Sequence, residues 1–381
     1  MQKKGGVSLD KNDDLFSAKR RWKINRLLVG YKKSFLNLIF ENYERKVKTM
    51  RKNSLKYLIG VVVIALVLSF TIIICLGQEK PISIILTCTS IPPSPSASLG
   101  VVFKDALELL AIKPVEVNFY PSSQLGSAMQ QLDGVLAGEI QMMYEDIGFI
   151  ESTLPEIQVF SMPYLLKQPK DFQKIFKSEV GKKIIDDLRE KAGLEIIGIA
   201  GRVGRQLTSN KPIYTPKDLK GFKIRVPDFS TYIDIWKTLG ASPTPMSWGE
   251  VYTSLALGTI DGQENPASVF FANKLYEVQK YCTLTNHLLS SSVIIANAKW
   301  FSSLDLDTQR AIYEAADLAC NYITELDILR EKVALGLLEK QGMKVINPDL
   351  QPWKEATKDM YKKYNTFGSD LYNEIEKICY E

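Results

Sequence analysis

Arg225 lies in the run Phe222-Lys-Ile-Arg-Val-Pro227, where Phe222, Ile224 and Val226 alternate with Lys223 and Arg225. A period of two predicts a strand. Pro227 stops it, because proline cannot donate to a sheet ladder. Arg225 therefore falls near the carboxyl end of a strand, and open α/β sheets bind ligands just beyond such ends. A guanidinium there presents a planar fork that matches a carboxylate in two places. For a single arginine the commoner role is a surface or interdomain salt bridge, so the position alone leaves both open.

Other groups cluster around it in sequence. Ser247-Trp248-Gly249-Glu250 has the pattern of a capping box and predicts a helix start, with Gly258 able to end that helix. Trp248 would lie in the first turn, near N–H groups that attract anions, either as the wall of a ligand pocket or as a packing residue. Thr215, Pro216 and Asp218 predict another capped turn. Asp261-Gly-Gln-Glu-Asn-Pro266 predicts a turn rich in hydrogen-bonding side chains, in which Asn265 offers both donor and acceptor. Asp261 and Glu264 do not make an acid/base pair, because no nucleophile, metal cluster or proton shuttle accompanies them. They are expected to close turns and to cap the next helix. His287 is the only histidine, which removes His-cluster metal sites and points to a structural role for it. The five cysteines are scattered with no CxxC pair, so neither a zinc site nor a disulfide framework is signalled.

The ordered series KIRVP, GASPTPM, EVYTSLALGTIDGQENP and YEVQKYCTLTNH, with YPSSQLG at Tyr120 to Gly126, resembles the DctP-like substrate-binding proteins of tripartite ATP-independent periplasmic (TRAP) transporters. The resemblance runs from about Pro81 to the C-terminus. It implies an α/β, two-lobed periplasmic binding protein-like fold with a hinge between the lobes. Lobe I would comprise 81–202 with 291–330, and lobe II 203–290 with 331–381. It also implies a receptor that is not an enzyme and carries no cofactor. The ligand would be an organic acid: a C4-dicarboxylate, a 2-oxo acid or a sugar acid. Small and large integral membrane subunits would receive it. The resemblance makes Arg225 the principal carboxylate-binding arginine, Arg205 the second ligand arginine on a neighbouring strand, and Asn265 a ligand contact. Glu145 and Asp146, at the end of the predicted strand in IQMMYEDIGF, would meet a ligand hydroxyl or amine or else stand in water. Asp228, where family members often carry a neutral residue, would orient Arg225 or repel an anion.

Elements must hold these groups in place. PISIILTC and VEVNFYP predict strands, with IPPSPSASLG as a rigid loop and VVFKDALELLA as a helix between them. Leu125 to Gly138 predicts a helix with Met129, Leu132 and Val135 on one face. Asp171 to Ala192 reads as a pair of surface helices and GLEIIGIAG as a buried strand. SVIIANAKWF returns to the first lobe, and Leu304 to Lys340 shows helical periodicity long enough to span both lobes.

Charge is uneven. Residues 1–56 hold 16 Lys/Arg and 5 Asp/Glu, whereas the remainder holds 32 and 38. The mildly acidic remainder gives no electrostatic support for nucleic-acid binding. Residues 1–56 read as a basic cytoplasmic tail, with Met50 an alternative start that would make 1–49 an upstream extension. Tyr57 to Leu76 is twenty uncharged residues, and the segment 57–77 reads as a transmembrane anchor or a signal-peptide core. Arg51, Lys52 and Lys56 before it keep that side in the cytoplasm. The lobes would then lie on the periplasmic or cell-surface side, held by an N-terminal helix. Two rivals are a membrane-anchored ligand-sensing domain and an extracellular hydrolase on the same scaffold. With one histidine and no GxSxG, the hydrolase lacks a nucleophile–base pair.

Overall fold

A computed structural model of the chain describes residues 60–67, 80–92, 94–364 and 367–380. The chain divides into two compact units, Met1–Lys80 and Pro81–Glu381. In the first unit, residues 60–67 are helical, with Val61, Val62, Val63, Ile64 and Leu66 exposed. No described helix is long and apolar enough to cross a membrane. The predicted 57–77 span lies largely outside the described residues.

The second unit alternates strands and helices. It opens with β1 (Ile82–Thr87), α1 (Pro95–Leu110), β2 (Val115–Tyr120), α2 (Ala128–Ala137) and β3 (Met142–Glu145). Two short helices, α3 (Lys170–Lys177) and α4 (Glu179–Asp187), lead to the long strand β4 (Leu194–Gly204). There follow β5 (Gln206–Ser209), β6 (Lys223–Val226), α5 (Ser230–Thr238), β7 (Ser242–Pro245), α6 (Val251–Ala256), β8 (Gly262–Asn265), α7 (Ala267–Ala272) and β9 (Tyr281–Thr283). The chain ends with β10 (Leu289–Asn297), α8 (Ala298–Ser302), α9 (Leu306–Lys340), β11 (Lys344–Ile346), α10 (Gln351–Thr357) and α11 (Gly368–Tyr380).

Two mixed sheets result. The first has the order β2-β1-β3-β10-β4 and the second β11-β9-β5-β8-β6-β7. The chain crosses between them twice, at Gly204–Gln206 and between β9 and β10. The two crossings are bonded to each other: Arg205 N donates to Leu288 O at 2.8 Å, and Gln206 exchanges side-chain bonds with Asn286. Helix α9 makes a third connection. Its Ile312, Ala315 and Ala319 enter the core beneath the first sheet with Leu99, Phe103 and Ile294. Twenty residues on, Ala334 and Leu338 enter a separate core with Val251, Phe270 and Met343. A third cluster runs from Met143 and Ile196 of the first sheet to Ile224 of the second and Trp236 of α5. The final helix α11 packs against α3.

Several sequence expectations change. The proline-rich IPPSPSASLG does not stay a loop: Ser94 caps α1 by accepting from Ala97 N, and Pro95 takes the first helical turn, where its missing N–H costs nothing. In α2 the buried face carries Leu132, Val135 and Gln131, whereas Met129 is 37% exposed. Ser247 makes no side-chain cap. The first turn there is a 3-10 turn, Trp248–Glu250, and the Glu250 N–H that a capping box would use donates instead to Ser247 O. The largest change is at DGQENP. Only its start is a turn, with Asp261 accepting from Lys223 N at 2.7 Å. Gly262–Asn265 is the fully buried strand β8, inserted between β5 and β6. Gly262 permits that insertion, since a Cβ there would stand 2.0 Å from Thr208 O.

Candidate functional site

The carboxyl ends of β1 and β3 in the first sheet face those of β6 and β8 in the second. Between them lies a cavity of about 100 Å³. All six residues expected from sequence line it: Glu145 and Asp146 from the end of β3, Arg205 from the crossing, Arg225 and Asn265 from β6 and β8, and Trp248 from the 3-10 turn. A second chamber of about 570 Å³ adjoins it at Arg225, Phe149 and Trp248 and carries Asp228 and Glu250 on its wall.

Arg225 is 4% exposed and reaches its place because β6 is pinned between β7 and β8. Its Nε and Nη2 both donate to the Met246 carbonyl, at 3.0 and 2.7 Å. The guanidinium also lies over the Trp248 ring, 5.4 Å from its centre. Among the described residues it makes no ion pair. Burial, opposed by the Glu264 charge and reinforced by that of Arg205, pulls its pKa down to about 10. A buried cation so placed gains from any anion that enters. Asp228 is exposed and makes no hydrogen bond to Arg225; the Met246 carbonyl orients the fork instead.

Arg205 is placed differently. It precedes β5, so β8 separates it from Arg225's strand, and the two arginines are not on neighbouring strands. Its Nε and Nη2 clasp both carboxylate oxygens of Glu264 on β8, and Nη2 also reaches the Glu264 carbonyl at 2.9 Å. Tyr232 lies under it at 5.2 Å. Burial disfavours both charges of the pair, yet their attraction outweighs it, holding Arg205 above and Glu264 below the usual ranges. Glu264 thus neither closes a turn nor caps a helix: it neutralises a buried arginine. His287 completes the group, with Nε2 3.1 Å from Glu264 and Nδ1 2.8 Å from Thr285 Oγ1. Burial lowers its pKa, and Nε2 faces a carboxylate to which it can only donate.

The opposite wall is acidic and hydroxylic. Glu145 accepts from Thr89 N, and burial pushes its pKa up to about 7. Asp146 is also raised by burial and accepts from Gly148 N and Ser291 N, both at 3.1 Å. Neither carboxylate stands free in water. Asn265 donates to Gln263 Oε1 at 3.1 Å, and its carbonyl oxygen takes no bond within the described protein. Ser90, Ser94, Ser96, Ser291 and Ser292 also line the space.

Arg202 was missed in the sequence, although it stands three residues before Arg205. It lines the cavity, is 7% exposed, and donates through Nε to Asp327 of α9 at 3.1 Å. Glu151 was missed too, since its partners lie about 80 residues away in α5. No group of three His, Cys, Asp or Glu among the described residues is arranged to hold a metal. The four described cysteines are free and buried. The arrangement is fitted to hold an anion between two walls.

Residues 99–366 match the model of the bacterial extracellular solute-binding proteins, family 7. The sialic acid-binding periplasmic protein SiaP of Vibrio cholerae is 31% identical over 266 residues, covering 69% of this chain and 82% of SiaP. A TRAP periplasmic solute-binding protein from Ochrobacterium anthropi, solved with L-fuconate, superposes with a TM-score of 0.75 at 31% identity over 79% of this chain and all of that one. One from Roseobacter denitrificans with L-galactonate superposes at 0.73 and 29% identity, over 79% and 99%.

Proposed function

The chain belongs to the bacterial extracellular solute-binding proteins, family 7, the receptors of TRAP transporters and not enzymes, and from that premise we propose that it captures an organic anion through Arg225. The single observation that carries the reading is Arg225 itself: a buried guanidinium that lines the cavity and, among the described residues, hydrogen-bonds only the Met246 carbonyl. A ligand carboxylate would take two of its donors. Arg205 stays clasped to Glu264, which neutralises its charge, and serves as a secondary hydrogen-bonding contact at the cleft. Asn265 orients the ligand through its carbonyl oxygen, Trp248 packs on it, and Glu145 and Asp146 stand across the cleft.

The two sheets would anchor lobes of 81–202 with 291–330 and 203–290 with 331–381, the last helix α11 reaching back to α3 of the first, and the lobes would close on the ligand about the paired crossings. Desolvating the anion becomes favourable only when it is fully paired, which suits a cleft closed on both sides. The loaded receptor delivers its acid to integral membrane subunits. Family members act outside the cytoplasm, and the apolar segment 57–77 would hold this one at the outer face of the cytoplasmic membrane. Protease added to spheroplasts should then digest the lobes, and full protection would contradict that placement.

A thermal-shift screen of C4-dicarboxylates, 2-oxo acids and sugar acids tests the reading. A ligand at a hundred times its Kd stabilises by about 2.7 kcal/mol. At least one acid should raise the melting temperature of the wild type and leave Arg225→Ala unmoved. If no acid acts, or if Arg225→Ala responds equally, the reading fails.

A further inference from the structure

Two carboxylates near the middle of α9 have no part in the site as described so far. Asp327 is fully buried and Glu331 is 9% exposed, and they stand one turn apart on one face of the helix. Burying two acids so close together is costly unless each is answered. Each is answered from a different piece of chain. Asp327 Oδ2 accepts from Arg202 Nε at 3.1 Å and from Val203 N at 3.2 Å, at the end of β4. Glu331 Oε1 accepts from Ala267 N at 2.8 Å and Oε2 from Ser268 N at 2.9 Å, at the start of α7. Ser268 stands between the two acids: its hydroxyl donates to Asp327 Oδ1 at 3.4 Å and is within hydrogen-bonding reach of Glu331.

Val203 is two residues before Arg205, and Ala267 is two residues after Asn265. Pairing within the second sheet already joins Gln206 to Asn265. The end of β4 belongs to the first sheet, however, and α7 follows β8 of the second, so the acids of α9 tie together two segments that sheet pairing leaves apart. Burial, opposed by the two N–H bonds and reinforced by the charge of Asp327, raises Glu331 to about 7. The Cys282 thiol of β9, raised by its own burial, faces the same carboxylate. Were the tie to open, Glu331 would meet water, where a glutamate titrates at about 4.3. The closed tie therefore holds the extra proton, and opening becomes easier as pH rises from about 5 to 7.

We propose that Asp327, Ser268 and Glu331 are positioning residues for ligand binding. Together they clasp the end of β4 to the start of α7, and so hold the Asn265 end of β8 at the distance from the first sheet at which both walls of the cavity reach one ligand. They act through the backbone at Val203 and Ala267 and not by touching the ligand. This rests on the cavity being the binding site, but not on which acid occupies it.

Hydrogen exchange of the full chain, resolved to single amides and corrected for intrinsic rates, tests the clasp. In the unliganded wild type, protection at Val203, Ala267 and Ser268 should fall together, by about tenfold between about pH 5.5 and 7.5, while amides of β1 stay more protected and so mark the opening as local. Glu331→Gln should abolish the fall at all three. Ser268→Ala, which removes one hydroxyl and keeps both N–H bonds, should keep the fall at Ala267 and lose it at Val203. If Val203 does not follow Ala267 in the wild type, Glu331 merely caps α7 and the proposal fails. It fails too if Val203 exchanges only together with β1, or if Ser268→Ala leaves the coupling intact. In titration calorimetry with succinate, 2-oxoglutarate and D-galactonate, Ser268→Ala should weaken every probe that the wild type binds by about fivefold or more. If a probe loses binding in Arg225→Ala but binds Ser268→Ala as tightly as wild type, the clasp is wrong and the Arg225 reading stands. If no probe binds the wild type, the proposal falls with the reading it rests on.

Discussion

Replacing Glu151 by alanine should destabilise the protein by about 3 kcal/mol, although the residue touches neither the cavity nor any charged group. Helix α5 begins at Ser230 behind Phe229, which offers no side-chain cap. Its free N–H groups are answered by Glu151 instead, at the end of the turn that follows β3. Glu151 Oε1 accepts from Ser230 N at 2.6 Å and Ser230 Oγ at 2.8 Å, and Oε2 accepts from Thr231 Oγ1 at 2.7 Å. The carboxylate is 6% exposed. An ordinary cap is worth about 0.5–2 kcal/mol, and a hydrogen bond to a charged group about 1.5–3. These bonds share one carboxylate and do not add, and the two hydroxyls can turn elsewhere, so about 3 kcal/mol is the expected net loss. Glu151→Gln keeps one oxygen and should cost about half as much. The contact also joins the turn after β3 to a helix of the second sheet, beside the edge-to-face pair Phe149–Phe229 at 4.4 Å. Urea unfolding should show a lower midpoint at constant slope, the sign of changed stability rather than a changed unfolded state. In a double-mutant cycle with Thr231→Ala, the coupling should exceed about 1 kcal/mol. A loss below about 1 kcal/mol for Glu151→Ala would refute the capping argument.

Glu264→Gln should destabilise by about 3–5 kcal/mol, because it strands Arg205 as a buried charge; an unfolding midpoint within error of wild type would contradict the pairing. Glu145 and Glu331 should make the stability of the unliganded protein fall as pH rises from about 5 to 7, against an opposing rise from His287, whose lowered pKa leaves the unfolded chain the more protonated at that group. Burial raises Glu145 and Glu331 to about 7, whereas an unfolded glutamate titrates near 4.3. The folded chain therefore holds more protons across that window, and stability declines with pH. Each group accounts for about 4 kcal/mol at most. Unfolding midpoints from pH 5 to 8 should show a smaller decline in Glu145→Gln, and an unchanged decline would exclude Glu145 as a source.

Much of the site was legible where local pattern and long-range structure agree. The alternation in FKIRVP places Arg225 at a strand end, and the helical period from Leu304 to Lys340 matches α9 closely. The misreadings share one cause. Gln263 and Glu264 look like turn residues, yet both are fully buried because Thr208 and Arg205 answer them from β5 and the crossing. A polar strand of that kind has no signature in its own residues. The same holds for Arg202 with Asp327, 125 positions apart, and for Glu151 with α5. Ser247 shows the reverse case: the local motif is present, but a 3-10 first turn takes the N–H that the cap requires.

A crystal structure of the protein with the acid that gives the largest thermal shift tests the central claim most directly. The account predicts one ligand carboxylate with both oxygens about 3 Å from Arg225 nitrogens, and Arg205 still clasped to Glu264. A carboxylate seated on Arg202 or Arg205, with Arg225 bonded only to Met246, would contradict it.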